Sequence, residues 1–318
     1  MKKNLSRRKF LGLSGLAAGT AWVSLSDFWA PRYVREAISD LTEPILKPKF
    51  TPEPLKWDDN AITASWLGHA TVLLNFYGVK IITDPVMMSR VGVDIGLTSL
   101  GPKRRFGCPL SVKDLPKIDL VLLSHAHLDH FDIPTLRTFK AGTKVITAKN
   151  TSDLFSGTAL GKTAKELTWG ETATVETANG SVEVEAVQVK HWGARWRHDT
   201  HRGFNGYVLS RGGKRVLFGG DTAMIDTFKP LRSKGPIELA CMPIGAYNPW
   251  IWSHCNPEQA VQMANDAGAK YFIPMHHSTF RFGREKYTEP MERCEGAFRS
   301  ETERLAVREA GETFVTPA

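Results

Sequence analysis

From residue 61 onward the apolar residues come in short runs cut by Gly, Pro and Asp. That is the pattern of many strands and few helices. Ile62–Trp66, Val72–Phe76 and Val79–Thr83 read as three consecutive strands, with Tyr77-Gly78 as a tight turn between the last two. Later runs stop at residues able to bind a metal. Ile118–Leu123 leads to His125, Val182–Val189 to His191, Arg215–Phe218 through two glycines to Asp221, and Tyr271–Met275 to His276. Residues at strand ends are rigidly placed and open to solvent, so ends converging on one edge can assemble a site.

Helical signals are fewer. Asn256-Pro257-Glu258-Gln259 predicts a capped start, with Ala260, Ala264 and Ala267 on one face and Gly268 as the stop. Asp132-Ile-Pro-Thr predicts another start, with Leu136 and Phe139 as apolar contacts, and Glu301–Glu309 predicts a terminal helix. Many strands with a few interspersed helices imply two packed sheets with helices outside. The chain divides into a targeting segment (1–30), an extended Pro-rich lead-in (31–60) and one folded domain (61–318).

Within the first segment a basic stretch precedes a short apolar run broken by Gly and Ser, too weak for a membrane span. Ser6-Arg7-Arg8-Lys9-Phe10-Leu11 resembles the twin-arginine export signal, which implies the twin-arginine machinery as a partner and a periplasmic or exported location. Left uncut, the segment would tether the protein to a membrane. The net charge is +8, but Lys2, Lys3, Arg7, Arg8 and Lys9 belong to this segment. The remaining excess is mild. It suits an anionic substrate or surface and does not by itself argue for nucleic acid. Cys108, Cys241, Cys255 and Cys294 lack C-x-x-C spacing, which speaks against a cysteine zinc site; free thiols are favoured over a disulfide.

The densest chemistry is His125-Ala126-His127-Leu128-Asp129-His130. Imidazoles and a carboxylate this close are costly to bury and mutually repulsive when protonated. A divalent cation removes both problems by accepting lone pairs from neutral His and offsetting the Asp charge. His125 and His127 can face one ion, and Asp129 and His130 another.

This motif resembles the H-x-H-x-D-H signature of the metallo-β-lactamase superfamily. The resemblance implies an α/β fold, the αββα sandwich, with metals at one edge of the two sheets. It implies His125, His127 and His191 on the first ion, Asp129, His130 and His276 on the second, and Asp221 bridging both. His277 competes with His276, which is favoured as first after its strand. Further segments resemble the branch containing N-acylphosphatidylethanolamine-hydrolysing phospholipase D: Trp66–Val72, Thr83-Asp84-Pro85, Gly101–Arg104, His191–Trp196, Gly220-Asp-Thr222, Pro243–Tyr247 and Asn256-Pro-Glu258.

The resemblance implies a hydrolase with two Zn2+ ions, roughly 3.5–4 Å apart, holding a bridging hydroxide. The favoured substrate is a small-molecule or lipid phosphodiester, with association to a membrane surface in reach. The candidate catalytic residues are Asp129, Asp221 and His254. His254 is read as an acid or phosphate contact, with a plain loop histidine as its alternative. Lactone or other ester hydrolysis is the rival chemistry, and a non-catalytic envelope metal-binding protein is a further alternative. A nuclease is disfavoured because no added nucleic-acid module is visible.

Around this centre His69 is either a support for a ligand or a structural histidine, and Asp84 is expected to orient a ligand histidine through its second nitrogen. His198 and His201 are expected in a solvated loop. Arg195, Arg197 and Arg202 are read as meeting an anionic substrate at the mouth, with a merely solvated charge run as the alternative. Trp192, Trp196, Trp250 and Trp252 flank the site loops, with buried packing expected for at least half of them and an apolar pocket wall for the others.

Overall fold

The structure is a computed structural model that describes residues 43–317 except residue 97. Residues 1–30, read from the sequence as a targeting segment, and the first part of the lead-in lie outside the described residues. The chain clusters into two units, residues 1–44 and 45–318, and the second carries the fold. Its strands are β1 Ile62–Gly68, β2 Thr71–Phe76, β3 Val79–Thr83, β4 Val93–Asp94, β5 Ser99–Leu100, β6 Leu120–Leu122, β7 Lys144–Ala148 and β8 Ala164–Leu167. They continue with β9 Thr172–Thr177, β10 Gly180–Val187, β11 Gly206–Arg211, β12 Lys214–Phe218, β13 Ile237–Pro243, β14 Ala269–Met275 and β15 Thr313–Val315. The α-helices are α1 Ile133–Leu136, α2 Tyr247–Trp250, α3 Pro257–Asp266 and α4 Glu289–Ala297.

The strands form a seven-stranded sheet, β15-β1-β2-β3-β6-β7-β8, a six-stranded sheet, β14-β13-β12-β11-β10-β9, and the small β4-β5 ribbon. Period-two alternation divides their side chains between layers. Val72, Leu74, Ile81, Leu120 and Leu122 meet Val184, Tyr207, Phe218 and Ile273 in the core between the sheets. Leu73, Ile82 and Val121 point the other way, onto Phe131, Leu136, Phe139 and Phe155. Leu217, Ala240 and Phe272 turn outward from the second sheet onto Ala260, Ala264 and Phe298. Helices outside two packed sheets give the αββα sandwich.

The predicted α3 start is a full capping box. Asn256 Oδ1 accepts from Gln259 N at 2.9 Å, and Gln259 Oε1 accepts from Asn256 N at 3.1 Å. Asp132 caps α1 by accepting from Thr135 N. The predicted terminal helix over Glu301–Glu309 does not form. Only a 3-10 turn, Thr302–Arg304, is present. Leu305 and Val307 are buried while Ala306 and Arg308 are not, an alternation with period two. Leu305 bridges Phe272, and Ala306 N donates to Phe272 O, so β14 takes this segment as an extended neighbour. Helix α4, which the hydrophobic pattern does not suggest, sits on α3 through Cys294 and Phe298, with an Arg293–Glu258 ion pair on the outside.

Strand direction decides where the site falls. β1, β3 and β6 run the same way in the first sheet. So do β10, β12 and β14 in the second. Past the ends of these six strands stand His69, Asp84, His125, His191, Asp221 and His276.

Candidate metal centre

The structure brings His125, His127 and His191 together, and brings Asp129, His130 and His276 together with His69. In the first group His127 Nδ1 lies 2.8 Å from His125 Nε2 and 3.2 Å from His191 Nε2. Tetrahedral ligands at about 2.0–2.1 Å from zinc would sit a little over 3 Å from one another, so this spacing fits one ion. In the second group His130 Nε2 and His276 Nε2 each lie 3.6 Å from Asp129 Oδ2. Asp221 Oδ2 is 3.1 Å from both His130 Nε2 and His276 Nε2, and 3.7 Å from His191 Nε2. One carboxylate oxygen therefore faces donors of both groups. His277 turns away and stacks on Trp66, rings 4.4 Å apart.

The donors fit divalent ions. His130 Nε2, both nitrogens of His276 and Asp221 Oδ1 are buried without a hydrogen-bond partner. Such atoms are expensive unless something binds them. Burial, reinforced by neighbouring imidazoles, lowers the pKa of His125 far below its ordinary value and that of His127 to about 3, which favours the neutral form that a metal would require of both. At His276 burial acts the same way, but the Asp221 and Asp129 carboxylates outweigh it and raise the pKa to about 9. Burial tends to raise Asp129 and Asp221, and the facing histidines override it and hold both well below the usual carboxylate range. A cation can take over what protons do here.

The partners behind the donors fix which nitrogen faces inward. Asp84 Oδ2 accepts from His130 Nδ1 at 2.7 Å and from Ser124 Oγ at 2.5 Å, and Asp84 Oδ1 accepts from Ser124 N at 2.7 Å. Ser124 spends its only proton on Asp84, so it accepts from His125 Nδ1 at 2.8 Å and leaves the Nε2 lone pair inward. His191 Nδ1 donates to Ser253 O at 2.9 Å with the same result. His69 Nε2 donates to Asp129 Oδ2 at 2.9 Å, so His69 holds a carboxylate of the site. Ser124 escaped sequence reasoning because a serine is no obvious ligand, although it directly precedes the motif.

The loops are tied to one another. Thr222 Oγ1 accepts from Lys190 N, and Thr222 O accepts from Cys255 N, joining the Asp221, His191 and His254 segments. At Gly220, with φ +57, a Cβ would come within 2.7 Å of Asn205 O and 3.0 Å of Ser124 Cβ, so only glycine lets Asp221 approach. His254 Nδ1 lies 3.8 Å from Asp221 Oδ2. Burial keeps this imidazole well below its ordinary pKa. All four cysteines are free, and Cys241, Cys255 and Cys294 are buried.

Two expectations about the rim are corrected. Arg195 and Arg202 do not wait for an anion. Arg195 Nη1 donates to Ala126 O and Phe131 O, and Arg202 pairs with Asp153 and Asp199. Loop carbonyls and carboxylates within the fold offer closer partners than solvent-borne anions. Of that group Arg197 is exposed, as are His198 and His201. The tryptophans are not packed away either: Trp192, Trp196, Trp250 and Trp252 are 43, 42, 41 and 58% exposed. Trp192 stacks on His191 at 4.5 Å, and Trp250 and Trp252 meet edge-on at 5.6 Å. Trp192 thus stands beside the donors, and all four lie outside the two sheets, on connecting segments and the end of α2.

A family model described as the beta-lactamase superfamily domain matches residues 80–277. N-acyl-phosphatidylethanolamine-hydrolyzing phospholipase D 1 of Caenorhabditis elegans is 33% identical over 250 residues, covering 74% of this chain and 69% of the relative. An uncharacterized protein of Mycobacterium tuberculosis is 31% identical over 268 residues, covering 82% and 70%. Among solved structures, Igni18, a metallo hydrolase of Ignicoccus hospitalis, superposes with a TM-score of 0.60 at 21% identity, covering 81% of this chain and 99% of that one. The isothiocyanate hydrolase from Delia radicum gut bacteria gives 0.63 at 16% identity, covering 80% and 100%. These two share the fold. The chain belongs to the metallo-β-lactamase superfamily, in the branch that contains N-acylphosphatidylethanolamine-hydrolysing phospholipase D.

Proposed function

We propose that this metal-dependent hydrolase uses two zinc ions to cleave a phosphodiester with at least one apolar arm, a lipid-like glycerophosphodiester foremost. The observation that carries the reading is Asp221, whose one oxygen faces donors of both groups and so supports two adjoining cation sites. Adjoining cations match the two non-bridging oxygens of a phosphodiester. The name of the Caenorhabditis elegans relative supports the same bond type. When bound, the ions supply a water-derived nucleophile near neutral pH and offset charge developing on the phosphate oxygens.

The chain's own groups do the remaining work in this reading. Asp129 and Asp221 keep the two sites adjacent, with Asp129 steadied by His69. His254 is assigned to the leaving-group side, because its buried Nδ1 faces Asp221 without a hydrogen-bond partner. The exposed tryptophans hold the apolar arm, each CH₂ they cover contributing roughly 0.8 kcal/mol. Aromatic side chains of this kind also suit a membrane–water interface, which supports association with a lipid surface. Among the described residues no helix is long and apolar enough to cross a membrane. The Ser6–Leu11 motif supports export by the twin-arginine route, beside envelope phospholipids.

The test compares kcat/KM for a long-chain N-acyl phospholipid, a short soluble phosphodiester and a lactone, on zinc-loaded protein. The phospholipid is expected to be the best substrate. A lactone turned over more than tenfold better than either phosphodiester, or no gain from lengthening the apolar arm, would overturn the reading.

A further inference from the structure

Arg195 stands on the loop after β10, four residues beyond His191. Its side chain turns inward, to the back of the His125–His130 motif. Nη1 donates to Ala126 O at 3.0 Å and to Phe131 O at 2.9 Å. Those two carbonyls bracket His127-Leu128-Asp129-His130, so a single nitrogen joins both ends of the ligand loop. The guanidinium also lies over the Phe131 ring, 5.9 Å from its centre. Among the described residues no carboxylate is within ion-pair distance of it. Burial pushes its pKa down to about 10. A partly buried guanidinium is costly, and beside the longer-range attraction of Asp132, Asp199 and Asp129 the two loop carbonyls are its hydrogen-bond partners.

The base from which Arg195 reaches is itself fixed. At Gly193 a Cβ would come within 2.3 Å of Arg202 O and 2.4 Å of Gly203 O, so the loop lies flat on residues 202–203. Arg202 is pinned to Asp153 and Asp199 and donates to Asn150 O. Trp196 N donates to Asp199 Oδ1 at 2.6 Å. Arg195 thus links two stretches that each carry metal donors: His191 on its own loop, and His125, His127, Asp129 and His130 on the other.

We propose that Arg195 is a positioning residue for both metal sites, stapling the ends of the ligand loop and tying that loop to the His191 segment before any ion arrives. Donors held at the right spacing in advance bind an ion without having to be ordered by it. Lysine keeps the charge but puts it on a compact, strongly hydrated ammonium at the end of a flexible stem, so it reproduces the placement of Nη1 between the two carbonyls only in part. The proposal rests on the metal-site assignment and is independent of the substrate.

The test uses the full chain with Arg195→Met and Arg195→Lys. Zinc affinity is measured by competition with a chromophoric chelator, and geometry by the visible spectrum of the cobalt-loaded protein. Melting of the metal-free proteins is followed alongside. Arg195→Met is expected to bind zinc about 10–100-fold more weakly, the range for partners behind metal ligands, with altered cobalt bands. Arg195→Lys is expected to fall between it and the wild type. Wild-type affinity and cobalt bands in Arg195→Met, with or without a lower melting temperature, would show that Arg195 only packs and overturn the proposal. If Arg195→Met does not fold, Arg195→Lys decides on the same two readings, because it keeps the charge and the buried stem. Failure of the phospholipid test leaves these readings untouched, whereas failure of wild-type protein to bind zinc at all would remove the metal-site assignment itself.

Discussion

Replacing Asp84 by Asn removes one charge with almost no change of shape, yet it reverses the direction of hydrogen bonds that reach both metal groups. Asp84 is fully buried and accepts three bonds, from Ser124 N, Ser124 Oγ and His130 Nδ1. Asn has one oxygen and one NH₂ group. With the oxygen kept on Ser124 N, the NH₂ faces His130 Nδ1, which must then accept. His130 is left with its proton on Nε2, the nitrogen that faces Asp221. The same NH₂ turns the Ser124 hydroxyl around, so that it donates to His125 Nδ1 and moves that proton to Nε2 as well. One substitution therefore blocks an inward lone pair in each metal group. With the amide flipped, a buried donor meets Ser124 N instead, costing about 1–3 kcal/mol.

Changes behind metal ligands weaken affinity about 10–100-fold, which is about 1.4–2.8 kcal/mol. Two histidines are affected, so Asp84→Asn is expected near the hundredfold end. Chelator competition measures the affinity directly. Thermal melting with a fixed zinc excess measures the same loss as a smaller metal-induced stabilisation. The metal-free protein is the control, and its melting is expected to change little. Burial disfavours the Asp84 charge and raises its pKa, and Asn carries no such charge, which offsets the lost bonds to His130 and Ser124. Zinc affinity within twofold of wild type would refute the tautomer reasoning.

Gently purified protein is expected to hold about two zinc-class ions per chain; elemental analysis finding one firmly bound ion or none, even after zinc is added, counts against a binuclear site. Asp221→Asn is expected to abolish turnover with the circular dichroism spectrum retained, and activity within a few fold of wild type would sink the bridging role. Trp250→Ala combined with Trp252→Ala is expected to lower kcat/KM on a long-chain phospholipid about tenfold, or about 1.4 kcal/mol, and to spare a short soluble phosphodiester; equal losses on both would deny the tryptophans a role in holding the apolar arm. Arg7→Lys with Arg8→Lys keeps the charge but removes the arginine pair, so the double variant is expected to stay unexported, as fractionation would reveal.

Strands were legible because one buried face needs an apolar residue at every second position, and each run could be followed to a polar residue at its end. The runs end at His125, His191, Asp221 and His276, independently of any family. Their division between two ions came from the resemblance to the superfamily. The sequence favours His276 over His277 only by its place directly after the strand, and in the structure a single backbone angle separates the two. His276 has φ +60, which ends the strand's alternation and sends the next side chain to Trp66. Loops carry no such periodicity. Nothing local distinguishes Arg195, turned inward onto carbonyls, from Arg197, exposed two residues later. The tryptophans misled for a related reason: large aromatic residues are usually covered, and only the position of their loops beyond the sheets leaves them open. Glu301–Glu309 has good helix formers, but the edge of β14 offers it a backbone pairing at Phe272, and burial of Leu305 and Val307 there outweighs propensity.

Several expensive features of the molecule share one edge. His69, Asp84 and His276 all have left-handed φ, at +53, +31 and +60, and each stands directly after a strand. Such residues cost on the order of 1–3 kcal/mol each and persist only where their surroundings hold them. Here they are held from several sides. His69 N donates to Thr279 Oγ1, and His69 O accepts from both Trp66 Nε1 and His276 N. Asp84 O accepts from Thr71 Oγ1, while Asp84 N donates to Leu122 O. Arg104, buried behind them, donates to Leu67 O and Val86 O, each two residues from one of the turns. The buried carboxylates and unpartnered imidazoles lie on the same edge. Three strained residues and a cluster of buried carboxylates and imidazoles thus meet where an ion can relieve them, and the apolar core between the two sheets supplies the stability that keeps the edge in place.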